Sequence, residues 1–112
     1  MNLESNDDGD YQVVTVHEER IDAAVAIRFK DKMRELTASG TPHVVLDLNE
    51  VEFVDSSGLG AIVAAMKQLG GTRRLDLAGL TPTVDRVFRL TRMESVFTIH
   101  DSLAEAQAVF AG

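Results

Sequence analysis

The segment Val51-Glu52-Phe53-Val54-Asp55-Ser56-Ser57-Gly58-Leu59-Gly60 (VEFVDSSGLG) carries two strand-like residues, Phe53 and Val54, straight into an apolar helix. The helix begins near Ser57. Its positions Leu59, Ile62, Val63, Met66 and Leu69 keep the three-four spacing of a buried helical stripe, and Gly70-Gly71 ends it. Upstream, His43 to Leu48 (HVVLDL) is a short, nearly continuous apolar run, the pattern of a strand covered on both faces. Downstream, Arg73 to Ala78 (RRLDLA) alternates polar and apolar residues, like a strand with one exposed face.

The same rhythm extends to both ends of the chain. Tyr11 to His17 is rich in β-formers and reads as the first strand, while Met1 to Asp10 reads as a flexible acidic tail. Asp22 is placed to cap a helix over Ala23–Ser39, whose Val25, Phe29, Met33 and Leu36 fall on one side; Gly40 and Pro42 stop it. Thr81 and Pro82 supply an N-cap and a proline at the first helical position, ahead of Val84, Val87 and Phe88. Val96–Ile99 forms a last strand. Ser102 and Glu105 make a capping box for a final helix with Leu103, Ala106 and Phe110 facing inward. Strand and helix thus alternate four times, which predicts an α/β domain over residues 11–112 with a mainly parallel central sheet flanked by four helices.

Composition limits the chemistry. The 112 residues suffice for one domain, with 18 Asp and Glu against 11 Lys and Arg. That excess of negative charge disfavours nucleic acid and anionic membrane as partners. Arg86, Arg89 and Arg92 are spaced by three on one side of a helix, but Asp85 and Glu94 balance them. Cysteine is absent, which removes disulfides and thiolate metal sites and fits a reducing compartment. The first residues are too polar for a signal peptide, and no apolar run approaches the roughly 20 residues of a membrane span. The reading is a cytoplasmic protein.

The junction at residues 51–60 is the most unusual place for function. Groups at strand ends and helix starts are the usual functional positions of α/β sheets. Backbone N–H groups there favour an anion, so a phosphorylated serine would be received, while Asp55 already uses part of that potential. A phosphate adds about −1.5 to −2 charges beside a carboxylate, a large change on a small surface. Glycines at 58 and 60 keep bulk away from the serines. The same residues also suit an ordinary helix cap with a tight turn.

The sequence resembles the STAS domain family, and within it the stand-alone anti-sigma factor antagonists (anti-anti-sigma factors) of SpoIIAA-like type. The resemblance rests on Arg20-Ile21-Asp22, Val44-Val45-Leu46-Asp47-Leu48, Val54-Asp55-Ser56-Ser57-Gly58-Leu59-Gly60, Leu77-Ala78-Gly79-Leu80-Thr81-Pro82 and Val87-Phe88. It implies an unphosphorylated form that binds a histidine-kinase-like serine kinase doubling as an anti-sigma factor. It further implies that phosphorylation of Ser56 releases the complex and that a PP2C-type phosphatase restores binding. By the same resemblance Asp22, Asp55, Ser56, Ser57, Gly58 and Leu59 form the partner-binding surface; no cofactor is expected, and the free protein is expected to be a monomer. Two departures stand out. Glu18-Glu19 replaces the glycine often found two residues before Leu-Asp, and residues 1–10 show no counterpart of the N-terminal strand common in relatives.

Two other classes compete. An enzyme would need a base for Ser56, with His17, His43 and His100 as candidates, or a carboxylate pair from Asp47 and Asp55. The Gly-x-Ser-x-Gly elbow, phosphate-binding loops, dinucleotide fingerprints and zinc spacings are all missing from the sequence. A scaffold STAS subunit of a signalling or transport assembly would keep the fold and leave Ser56 unphosphorylated.

Overall fold

The computed structural model describes residues 1–111. Strand β1 (Leu3–Asp7) turns into β2 (Tyr11–Val16), and β3 (Arg20–Ile21) leads to α1 (Ala26–Leu36). Next come β4 (His43–Asp47), β5 (Phe53–Val54), α2 (Ser56–Leu69), β6 (Arg74–Ala78) and α3 (Pro82–Leu90). A 3-10 turn at Met93–Ser95 precedes β7 (Ile99–His100) and α4 (Leu103–Ala111). The main sheet has the order β1-β2-β4-β6-β7. Its pairs are parallel except β1 with β2. The short β3 and β5 pair in parallel apart from it.

Side-chain alternation divides the molecule into two unequal layers. Val14, Val16, Val44, Leu46, Leu75 and Leu77 point to one face, where Phe29 and Met33 of α1, Ile62 of α2 and Phe88 of α3 close the larger core. Val13, Val45 and Ala78 point to the other, against Ala106 of α4, with Tyr11, Leu103 and Phe110 packed around them. The β6 stretch therefore differs from its sequence reading, because both of its faces are covered. Asp76 is buried on the α4 side, held by Arg74 at 2.8 and 3.1 Å and by His100 Nε2 at 2.8 Å. A buried carboxylate survives there because its oxygens are paired.

The expected flexible tail over residues 1–10 is instead an edge strand. Asp8 Oδ1 accepts from the N–H groups of Asp10 (2.9 Å) and Tyr11 (3.0 Å), and Gly9 takes φ +94. These bonds fold the run of acidic residues into a hairpin turn. The registration sets Leu3 opposite Val16 and Asp7 opposite Gln12. Asp7 then accepts from Ser39 Oγ at 2.6 Å and from Thr41 Oγ1 at 2.7 and 2.8 Å, which ties the edge to the α1–β4 loop. Those bonds hold the Asp7 carboxyl below its ordinary pKa.

Other element ends shift for local reasons. The α1 helix starts at Ala26 with Val25 at its N-cap, since Asp22 is engaged elsewhere. Thr81 occupies the N-cap of α3, but its hydroxyl donates to Val51 O at 2.8 Å instead of capping the helix. Ser102 does cap α4, accepting from Glu105 N–H at 3.1 Å. Arg92 lies past α3 in a left-handed conformation (φ +62), so the expected arginine row is broken, and Arg89 pairs with Asp85 at 2.8 Å. The strand expected at Val96–Ile99 is reduced to β7, because the 3-10 turn at Met93–Ser95 continues through a turn and bend at Val96 and Phe97.

Leu3, 8% exposed, tests the reassigned terminus. Leu3→Ala is expected to destabilise the protein by about 2 kcal/mol in chemical denaturation. An unchanged midpoint would return residues 1–10 to a detached tail.

Candidate functional site

Asp55, rather than a serine, is the N-cap of α2. It has extended backbone dihedrals (φ −95, ψ −175), its Oδ1 accepts from Gly58 N–H at 2.8 Å, and its carbonyl accepts from Leu59 N–H at 2.9 Å. Its other oxygen, Oδ2, accepts from Ala23 N–H at 3.1 Å. One carboxylate thus joins the start of α2 to the turn leading into α1. The Gly58 N–H, above all, holds this carboxyl below its ordinary pKa; the Ala23 and Ser57 N–H groups and the Arg20 charge add to the effect against partial desolvation.

With the cap assigned to Asp55, Ser56 is the first helical residue and Ser57 the second, and both are exposed. Gly58 is buried, and the reason is steric. A Cβ at this position would stand 1.8 Å from the carbonyl oxygen of Ile21 and 2.6 Å from its carbonyl carbon. Gly58 therefore packs α2 onto β3, beneath the expected partner surface. Leu59 is half-buried and packs against the main core. Gly60 faces open space.

Asp22 is brought to the same place. The β3–β5 register sets Arg20 opposite Phe53 and Ile21 opposite Val54, so the next step along both chains carries Asp22 and Asp55. Asp22 Oδ1 accepts from Ala24 N–H at 3.1 Å, and its Oδ2 accepts from Arg20 Nε at 3.1 Å. Arg20 Cζ lies 4.1 Å from the centroid of the Phe53 ring, a cation–π contact on a ring that is 37% exposed. Arg20 and Phe53 are site residues that the sequence reading did not identify. Strand alternation makes both face outward, but nothing in two-residue segments announces that they pair.

The candidates for enzyme chemistry are dispersed. His17 Nδ1 lies 2.6 Å from Glu50, whose hydrogen bond raises the imidazole pKa, and Nε2 lies 3.5 Å from Glu4. His43 stacks on Phe110 at 5.1 Å, and His100 is held by Asp76. Asp47, whose carboxyl is pushed up by burial, accepts from Asn49 and shares no partner with Asp55. No group of three or more His, Asp or Glu side chains poised for a metal occurs among the described residues.

Two glycines of α2 should respond oppositely to alanine. Gly58→Ala is expected to destabilise by ~3 kcal/mol through overpacking against backbone. Gly60→Ala should stabilise by about 0.5–1 kcal/mol through helix propensity, both read by thermal or urea denaturation. Asp55→Asn gives a pH test. A depressed folded pKa contributes stability that is present above the ordinary carboxylate pKa and lost as pH falls through the folded value. The stability gap between wild type and Asp55→Asn should accordingly be widest near neutrality and close in acid.

The STAS domain profile matches residues 2–106. BtrV of Bordetella bronchiseptica, provisionally named an anti-sigma factor antagonist, is 30% identical over 91 residues, which cover 80% of this chain and 78% of BtrV. The anti-sigma-B factor antagonist of Staphylococcus aureus is 22% identical over 102 residues, or 90% of this chain and 94% of that one. In three dimensions, a crystal structure of an anti-sigma factor antagonist from Mycobacterium paratuberculosis is similar with a TM-score of 0.87 at 25% identity, across 99% of this chain and 94% of the other. The matched span runs from β1 into α4, and the parallel sheet, the 51–60 junction and the four helices all fall within or against it. The chain belongs to the STAS domain family.

Proposed function

We propose that this protein is an anti-sigma factor antagonist that works by partner switching. In its unphosphorylated form it binds a histidine-kinase-like serine kinase that also serves as an anti-sigma factor. That kinase phosphorylates Ser56, the complex separates, and a PP2C-type phosphatase returns the protein to its binding form. The role is recognition rather than catalysis, carried out by a free monomer in the cytoplasm. No helix among the described residues is long and apolar enough to cross a membrane.

One observation carries the reading. Ser56 is exposed at the first residue of α2, immediately after a carboxylate that is fixed from two sides. Asp22 stands beside it across β3 and β5. A phosphate on Ser56 adds about −1.5 to −2 charges to a surface that already presents two carboxylates. A partner that docks on the neutral serine would then meet both added bulk and like charge, which acts on affinity directly. The relatives named as anti-sigma factor antagonists support the same role.

Titration calorimetry with the kinase partner tests the switch. Ser56→Ala should bind as wild type does and stay bound when ATP is added, whereas Ser56→Glu should bind at least ~10-fold more weakly. Ser57→Ala should still be phosphorylated and released. Equal affinity for wild type, Ser56→Ala and Ser56→Glu, with and without ATP, would refute the mechanism.

A further inference from the structure

The outer edge of β6 is only partly covered. Successive residues of this strand bond to opposite sides. On the β4 side, Arg74 N–H donates to Pro42 O at 2.8 Å and Ala78 O accepts from Leu48 N–H at 3.0 Å. On the β7 side, Leu77 N–H donates to Thr98 O at 3.0 Å and Gly79 N–H to His100 O at 3.2 Å. By that alternation Leu75 also aims its N–H and C=O toward β7. The ladder between β6 and β7, however, consists of Leu77 with Ile99 and Ala78 with His100, so no strand pairs with Leu75 on that side. The Leu75 side chain is buried in the larger core, which holds this stretch of backbone in place.

A groove of about 500 Å³ opens along it, between the end of α2 and the segment that enters β7. Its walls are basic. Arg74 is neutralised by the buried Asp76, but Lys67 and Arg73 form no ion pair among the described residues. Arg73 donates to Thr41 O at 3.0 Å and to Thr37 O at 2.9 Å, carbonyls that orient the guanidinium and leave its charge in place. Such uncompensated cations stand apart in a chain of net charge −7. Met66 and Val96, the latter 45% exposed, add apolar surface to the same groove.

We propose that this groove docks an extended acidic peptide segment of a partner protein, laid along β6 as a strand that continues the line of β7. An unpaired strand edge is a template for such pairing, and main-chain bonds to Leu75 set its register. The carboxylates of the segment meet Lys67 and Arg73, and its apolar side chains meet Met66 and Val96. Nucleic acid lacks the N–H and C=O ladder that Leu75 requires, and the acidic remainder of the surface repels it. The groove lies at the opposite end of α2 from Ser56. That helix has 14 residues, a length of about 20 Å, so a segment docked here leaves the Ser56 surface open. The proposal is independent of the switch.

The test uses full-length protein labelled with nitrogen-15, with no kinase present. The probe is a capped peptide of alternating glutamate and valine. Its controls are the lysine–valine counterpart and the acidic peptide N-methylated at every residue, which keeps the charge and removes the N–H groups. The acidic peptide should shift the amide signals of Leu75 and Thr98 saturably and slow hydrogen exchange at Leu75 by ~10-fold or more. Both control peptides should bind at least ~10-fold more weakly. Lys67→Glu, at an exposed position, should weaken binding by ~5-fold or more, whereas Lys30→Glu, on the exposed side of α1, should leave it unchanged. No saturable shift at Leu75, shifts gathered around Ser56, an undiminished response to the methylated peptide, or equal loss in the two lysine variants would overturn the proposal. So would the same shifts produced by inorganic phosphate, the mark of a simple anion site, or by raising the protein concentration alone, which would make a second copy the occupant. If Lys67→Glu does not fold, the three peptides on wild-type protein decide alone.

Discussion

The start of α2 approaches β3 so closely that residue 58 has no room for a side chain: the Ile21 carbonyl oxygen occupies the space of a Cβ. The rest of the site is organised by that contact. With α2 pressed onto Ile21, Asp55 reaches back to Ala23 N–H and forward to Gly58 N–H with the two oxygens of one carboxylate. Ile21 and Val54 are buried beneath, while Arg20, Phe53, Asp22 and Asp55 are left on the outer side of the small sheet. Ser56 then emerges rigidly mounted and open to solvent. Its backbone is helical, and its predecessor is pinned from two directions.

The remainder of the fold serves to hold this platform still. Parallel strands need covered faces, and here the cover is unequal, with α1, α2 and α3 over one layer and α4 over the other. In the thinner layer the buried Asp76 is matched by Arg74 and His100. Thr81 spends its hydroxyl on Val51 O and so links the start of α3 to the loop just before β5. Two helix starts, those of α2 and α3, are therefore fastened to the same short segment of chain around the site.

Most of this was legible in the residues because it rests on local patterns. The three-four stripe from Leu59 to Leu69, the apolar run HVVLDL and the Thr81-Pro82 start each carry their own signal and were placed within a few residues. What escaped depends on partners distant in sequence. β1 reads as a tail because Leu3 is its one large inward-facing apolar residue, and its order comes from β2 and from Ser39 and Thr41. Asp22 reads as a helix cap, yet its carboxylate is shared between Ala24 N–H and Arg20. Arg20 and Phe53 became visible only with the β3–β5 register. The motif Asp55-Ser56-Ser57-Gly58 stood out in the sequence at a strand–helix junction, but the contacts inside it did not. The cap is the aspartate, and the first glycine is a packing residue.

The central claim is that Ser56 is the phosphoacceptor of a partner switch. The most direct measurement is intact-mass and phosphopeptide analysis of the protein before and after incubation with ATP and the proposed partner kinase. The account predicts one added phosphate, carried by Ser56. A phosphate on Ser57, or none despite stable binding to that kinase, would contradict it, the latter leaving a STAS scaffold that binds without switching.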